Sequence, residues 1–161
     1  TASGKGLPLG NVTSQLFANI YLNELDQFVK HVLKARYYIR YCDDFVILHE
    51  KQDALLSLVE RIRDFLREQL LLKLHPHKVT IRKLRQGTDF LGYVSLPHYV
   101  VLRTRTKRRM LKRLVALAKS VKNKEDFERA HPVIQSYLGI LSHCKGVRLK
   151  RTIEKMFAEW L

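Results

Sequence analysis

The stretch YYIRYCDDFVILHE, Tyr37 to Glu50, decides how this chain is read. Tyr37, Tyr38, Ile39 and Tyr41 precede the acidic pair, and Phe45, Val46, Ile47 and Leu48 follow it. Aromatic and β-branched residues favour pleated strands, whereas Asp does not. The simplest reading is a hairpin with Asp43 and Asp44 at its turn, since Asp side chains bond their own backbone there. A chemical reading stands beside it. Two carboxylates at one tip repel each other unless a cation neutralises them, and a hard divalent ion such as Mg²⁺ takes one or two carboxylates plus phosphate oxygens.

Outward from the hairpin, the chain alternates. The Gly-rich stretch GKGLPLGNVTSQ reads as a loop, with Asn11 or Thr13 as the cap of a following helix. Val12, Leu16, Ile20, Tyr21, Leu25, Phe28, Val29 and Val32 recur at helical steps and predict an amphipathic helix to about Leu33. A second helix is expected from about Asp53 to Leu70. Residues 72–103 read as short strands: Val79 and Ile81 alternate with polar residues, Gln86-Gly87 marks a turn, and DFLGYV is a further strand. From about Thr104 the pattern is helical to the end, with breaks expected near His131-Pro132 and Lys145-Gly146. The order predicts an α+β fold: an antiparallel sheet with two packing helices over residues 1–102, then an all-α bundle over 103–161.

Composition narrows the function. The 161 residues are 46% hydrophobic, enough for a real core. Thirty Lys and Arg against 15 Asp and Glu leave a net charge of +15. Residues 1–100 hold 14 basic and 10 acidic side chains; residues 101–161 hold 16 and 5. That asymmetry points to a polyanion, gripped mostly by the C-terminal part. A solvated basic surface is the bland alternative. Two cysteines, Cys42 and Cys144, are too few for a disulfide framework and read as reduced thiols of a cytosolic protein. No apolar run approaches the ~20 residues of a membrane span. Neither His75, His77 and Cys42 nor His143-Cys144 has the spacing of a zinc site.

Several segments carry a family resemblance. YCDD, Tyr41 to Asp44, resembles the Y-x-D-D signature of reverse transcriptases. GLPLGNVTSQLFANIYLNELD resembles the loop and helix that precede that signature, LKLHPHKVTI the segment with the family's leaving-group lysine, and DFLGY the primer-grip hairpin. IQSYLGILSHCKGVRLKR resembles the helical thumb of bacterial members. The fold this implies is a partial polymerase palm over 1–102 followed by a helical thumb. Leu9-Gly10 and Ser14-Gln15, in the form L-G-x-x-x-S-Q, look like the enzymes of diversity-generating retroelements; retron and defence-associated members stay open.

The resemblance implies RNA-directed DNA synthesis by nucleotidyl transfer at two Mg²⁺ ions, with Mn²⁺ as an alternative. Asp43 and Asp44 would hold metal, and Lys78 would protonate the leaving pyrophosphate. Gly10, Asn11, Ser14, Gln15, Tyr41 and Cys42 would line the nucleotide and template. Phe90, Leu91, Gly92 and Tyr93 would grip the primer, with Phe90 and Leu91 equally readable as plain core. Arg105, Lys107, Arg108, Arg109, Lys112 and Arg113 would meet phosphates, which gives affinity without sequence readout. Expected partners are an RNA template, a DNA or RNA primer, dNTPs and a small accessory protein, in a bacterial or phage-infected cytoplasm and without a membrane. Leu9, in place of the glutamine common elsewhere in the family, removes a hydrogen-bonding side chain and predicts looser base selection. The family's chemistry also uses a third carboxylate from an earlier palm strand, for which Glu24 and Asp26 on a helix are poor substitutes. The chain is therefore expected to be the C-terminal half of such an enzyme, inactive alone and prone to self-association through an uncovered edge. The rival class is a non-catalytic nucleic-acid-binding or assembly module that keeps the fold.

Overall fold

A computed structural model describes residues 11–160. The architecture is α+β, with two small antiparallel sheets among helices. The chain divides into two compact units, one ending at Ile81 and the other beginning at Arg82.

The first unit opens with α1, Val12–Gln27, whose N-cap Asn11 accepts a bond from the Thr13 N–H at 3.3 Å. Helical winding continues as a wider turn over Phe28–Val32. Strands β1, Tyr37–Tyr41, and β2, Asp44–Leu48, then form a two-residue hairpin with Tyr41 opposite Asp44. Helix α2, Gln52–Gln69, follows. Leu25, Val29, Ile62, Leu66 and Leu70 form the buried core, with Phe28 stacked on Phe65 at 4.1 Å between ring centroids. Tyr38, Phe45 and Ile47 cover that core from the sheet. Because side chains alternate along a strand, Tyr37, Ile39 and Tyr41 take the other face, and Ile39 and Tyr41 are 57% and 60% exposed.

Two sequence expectations change here. The apolar stripe of α1 is not uniformly a core face: Leu16 and Ile20 are exposed, and burial begins at Leu25. The helix carries apolar residues on several sides, so periodicity alone does not say which side is covered. The strand expected around Val79 and Ile81 is absent, and residues 76–78 form a turn. A strand persists only where a ladder partner takes its backbone groups, and none of the described strands pairs with this segment.

The second unit holds β3, Thr88–Phe90, β4, Tyr93–Ser95, and β5, Val100–Leu102, in the order β3-β4-β5. Helices α3, Thr104–Ser120, α4, Lys124–Ser142, and α5, Val147–Met156, complete it. Met110, Leu114, Ala130, Ile134, Leu141, Ile153 and Phe157 are buried together, and Leu102 joins them from β5. The three strands thus pack with the helices, and the unit begins upstream of the 102/103 division read from sequence. Gly87 is required where it stands: its φ is +83°, and a Cβ there would meet Val94 Cγ1 at 2.6 Å. The break expected at His131-Pro132 does not occur, since α4 runs through Pro132. Proline inside a helix forfeits a bond at a cost of about 3 kcal/mol, and buried Ala130 and Ile134 on either side hold the helix in place. The break at Lys145-Gly146 does occur, between α4 and α5.

Candidate active site

The acidic turn is built from both sides of the β1–β2 hairpin. Tyr41 ends β1, Cys42 and Asp43 make the turn, and Asp44 begins β2. Cys42 has φ +52°, in the left-handed region. For a non-glycine residue this costs roughly 1–2 kcal/mol, so something must hold it.

Arg40 does so from the inner face of β1. Its Nη1 donates to the Cys42 carbonyl at 2.8 Å and to Asn19 Oδ1 at 3.1 Å. Its Nε and Nη2 donate to the two oxygens of Asp26 at 2.8 and 2.5 Å. The Tyr38 hydroxyl also donates to Asp26, at 2.6 Å. Asp26 and Asn19 belong to α1, so the hairpin is fastened to that helix by a fork of charge-assisted bonds. The Arg40 guanidinium beside Asp26 holds its carboxyl below the usual carboxylate range, against the opposing effect of burial. Burial, reinforced by Asp26, pushes the Tyr38 phenol well above its ordinary value. The Arg40 side chain is only 10% exposed.

Asp43 and Asp44 contrast with Asp26. Both are exposed, and neither pairs with a cation among the described residues. Adjacent hard oxygen donors without internal partners suit a divalent cation that also takes water and phosphate. No group of three or more His, Cys, Asp or Glu side chains that could hold a metal occurs among the described residues. Asp43 and Asp44 carry free carboxylates among the described residues, whereas Asp26 is committed to Arg40.

The other sequence-predicted residues fall in three places. Asn11, Ser14 and Gln15 lie at the start of α1; the Asn11 side chain is engaged in capping, Ser14 is half-buried and Gln15 exposed. Gly10 and Leu9 lie outside the described residues. Lys78 ends the turn of residues 76–78, exposed, with its N–H on the His75 carbonyl at 3.1 Å. Phe90, Leu91, Gly92 and Tyr93 make the second hairpin. Leu91 and Gly92 have φ of +52° and +86°, as a two-residue turn with both central residues left-handed requires. The Tyr93 hydroxyl donates to the Ile140 carbonyl at 3.0 Å, the Arg103 N–H to the Gly92 carbonyl at 2.9 Å, and Arg103 pairs with Asp89. Leu91 stands exposed at the tip.

On α3, Arg105, Lys107, Arg108, Arg109, Lys112 and Arg113 are the cations expected to meet phosphate, and Arg105, Arg108, Arg109 and Lys112 follow the spacing of one helix face. None of the six pairs with a carboxylate among the described residues. The first turn of α3 holds no acidic residue, although cations near a helix N-terminus each cost about 0.3–1 kcal/mol against the helix dipole.

Sequence reasoning passed over Arg40, Asn19 and Tyr38, and set Asp26 aside. A usable signal existed: an arginine inside an aromatic strand and an aspartate inside an apolar helix, both at core-facing positions, need each other.

Comparison with known proteins agrees with this geometry. A family model described as reverse transcriptase (RNA-dependent DNA polymerase) matches residues 1–95, which include both hairpins. Protein YkfC of Escherichia coli strain K12 is 29% identical in an alignment covering 57% of this chain and 32% of YkfC. The chain therefore spans about a third of that relative's length.

Proposed function

This chain belongs to the reverse transcriptase (RNA-dependent DNA polymerase) family, and on that premise we propose that its parent protein copies an RNA template into DNA by metal-assisted nucleotidyl transfer at the Tyr41–Asp44 turn. The observation that carries the reading is the state of the two carboxylates: exposed, adjacent and unpaired among the described residues, on a turn whose backbone is fastened from behind. Bound Mg²⁺ would stabilise the charge on attacking and leaving oxygens during in-line displacement.

The chain's own residues do the rest. Asp43 at the turn and Asp44 at the start of β2 hold the cation. Tyr41 and Cys42 flank the primer end and incoming nucleotide. Asn11, Ser14 and Gln15 face the nucleotide and template from the start of α1, Gly10 takes the same role by its place in the sequence motif, and Lys78 donates the proton to the pyrophosphate. Phe90 to Tyr93 grip the primer, with Leu91 presented at the tip. The α3 cations bind phosphates: their lack of carboxylate partners among the described residues and the place of several of them at the positive end of a helix fit an anion partner better than they fit stability. In this reading residues 1–102 are the palm portion and 103–161 the thumb. A third carboxylate would come from outside the described residues, and the exposed apolar face around Ile39 and Tyr41 is where self-association would occur. Leu9 supports an error-prone enzyme of the diversity-generating type.

The test is primer extension on RNA in Mg²⁺ by the full-length protein and its Asp43→Ala variant. Loss of about a thousandfold is expected, the scale of ~4 kcal/mol of transition-state stabilisation; equal extension by both would defeat the assignment. The same products, sequenced opposite template adenines, test the error-prone reading. Fewer errors are expected from Leu9→Gln, and an unchanged error frequency removes that reading.

A further inference from the structure

We propose that Arg40 is a positioning residue for the acidic turn, and that it sets the aim of Asp43 by clamping the Cys42 carbonyl to helix α1 through Asp26 and Asn19. The proposal rests on the reading of Asp43 as a metal-holding residue.

The Cys42 carbonyl and the Asp43 N–H belong to one rigid peptide plane. Holding that carbonyl at 2.8 Å from Arg40 Nη1 therefore fixes the plane from which Asp43 departs. It also opposes relaxation of Cys42 from φ +52°. The clamp is stiff because every arm of the guanidinium is engaged. Nε and Nη2 grip both oxygens of Asp26, while Nη1 is shared between Asn19 and the turn. Asp26 is itself steadied by the Tyr38 hydroxyl at 2.6 Å. The helix under it is anchored by buried Leu25 and Val29 on either side of Asp26. A rigid element thus reaches the turn through one planar side chain, and preorganisation of this kind decides how well charge is met in a transition state.

Lysine cannot replace this arrangement. Its ammonium is a point charge on a flexible stem and does not span a carboxylate, an amide oxygen and a backbone carbonyl with fixed geometry. Arg40→Lys keeps the charge next to Asp26 and loses the hold on the turn. A merely structural ion pair would lose stability in the same variant but leave the chemistry of the folded enzyme unchanged.

The experiment uses the full-length protein with Arg40→Lys, Asp26→Asn, Tyr38→Phe and Asp43→Ala, each checked for folding by thermal unfolding. For folded Arg40→Lys, kcat is expected to fall about tenfold or more, KM for dNTP to stay within about twofold, and the Mg²⁺ concentration for half-maximal activity to rise about threefold or more. Asp26→Asn should lose roughly three- to tenfold in kcat. Parental kcat and Mg²⁺ dependence in folded Arg40→Lys and Asp26→Asn would overturn the proposal, as would an effect confined to KM. Should Arg40→Lys not fold, Tyr38→Phe decides: it removes one hydroxyl from Asp26, so a loss in kcat of roughly two- to fivefold supports the clamp and parental kcat overturns it. Asp43→Ala separates the two levels. An active Asp43→Ala removes the metal reading itself, whereas a dead Asp43→Ala beside fully active clamp variants removes only the positioning role.

Discussion

Among the described residues two tight hairpins share a two-residue turn but not its backbone: both central residues are left-handed at Leu91-Gly92, and only the first is at Cys42-Asp43. Each has a two-residue turn whose first central residue, Cys42 or Leu91, is a non-glycine with φ of +52°. At the Leu91-Gly92 turn the second position is glycine, which enters the left-handed region without steric cost, and the Arg103 N–H fastens its carbonyl. At the Cys42-Asp43 turn the second position is a carboxylate, and the fastening comes from a side chain, Arg40, rooted in a helix. The first solution needs no side chain at the second position. The second is suited to a turn that must present charge, since glycine there would give up the carboxylate. Both turns hold a left-handed non-glycine residue; what separates them is the side-chain clamp from Arg40 to the Cys42 carbonyl.

The largest expected difference between the turns is electrostatic. Asp26 is held below the usual carboxylate range by Arg40. A depressed carboxylate contributes stability that is fully present above its unfolded value, near ~4, and is lost as pH falls through the lower folded value. Asp26→Asn should therefore destabilise the protein by about 2 kcal/mol at neutral pH, the scale of hydrogen bonds to a charged group. The deficit should shrink toward nothing at a pH well below that unfolded value. Thermal unfolding as a function of pH measures it, and a deficit that is constant with pH would remove the electrostatic account of the clamp.

Backbone substitutions come next. Gly92→Ala forces a Cβ into φ +86° and should cost about 1–2 kcal/mol. Cys42→Gly relieves strain of similar size and should be stabilising, or neutral once the extra freedom of glycine in the unfolded chain is counted. Opposite signs in denaturant midpoints would support the comparison, while a large loss from Cys42→Gly would mean that Cys42 packs in a way that outweighs its strain.

The smallest effect on folding lies on α3, whose cations pair with no carboxylate among the described residues. Replacing Arg105, Arg108 and Arg109 with Gln should leave stability within about 0.5 kcal/mol or raise it slightly, because cations leave the positive end of the helix. Binding of the full-length protein to primer–template should weaken, and the slope of log affinity against log salt should fall by roughly 0.7–0.9 for each phosphate no longer neutralised. An unchanged slope would show that this face meets water.

Much of this was legible in the residues. The strand-forming runs around Asp43-Asp44 and the periodicity of α2 are local signals, and they survive into the structure, whereas DFLGYV, which alternates like one strand, folds back on itself at Leu91-Gly92 because β4 supplies the ladder partner of β3. What the sequence concealed depends on partners distant in the chain. The pairing of Asp26 with Arg40 joins a helix to a strand and cannot be read from either alone. Val79 and Ile81 alternate like a strand but find no ladder among the described strands. Pro132 signals a break, yet the buried residues around it keep α4 continuous. The apolar stripe of α1 looks like core, but coverage begins only at Leu25, where the helix meets the buried side chains of α2.

The two hairpins can be set against each other as metal sites in one titration. Mn²⁺, a paramagnetic stand-in for Mg²⁺, is added to the full-length protein while the backbone amide signals of residues 41–45 and 90–93 are followed by magnetic resonance. The acidic turn should broaden at the lowest Mn²⁺, and Asp43→Ala should abolish the effect. Residues 41–45 that do not broaden, or broadening there that survives Asp43→Ala, would refute metal binding at the acidic turn.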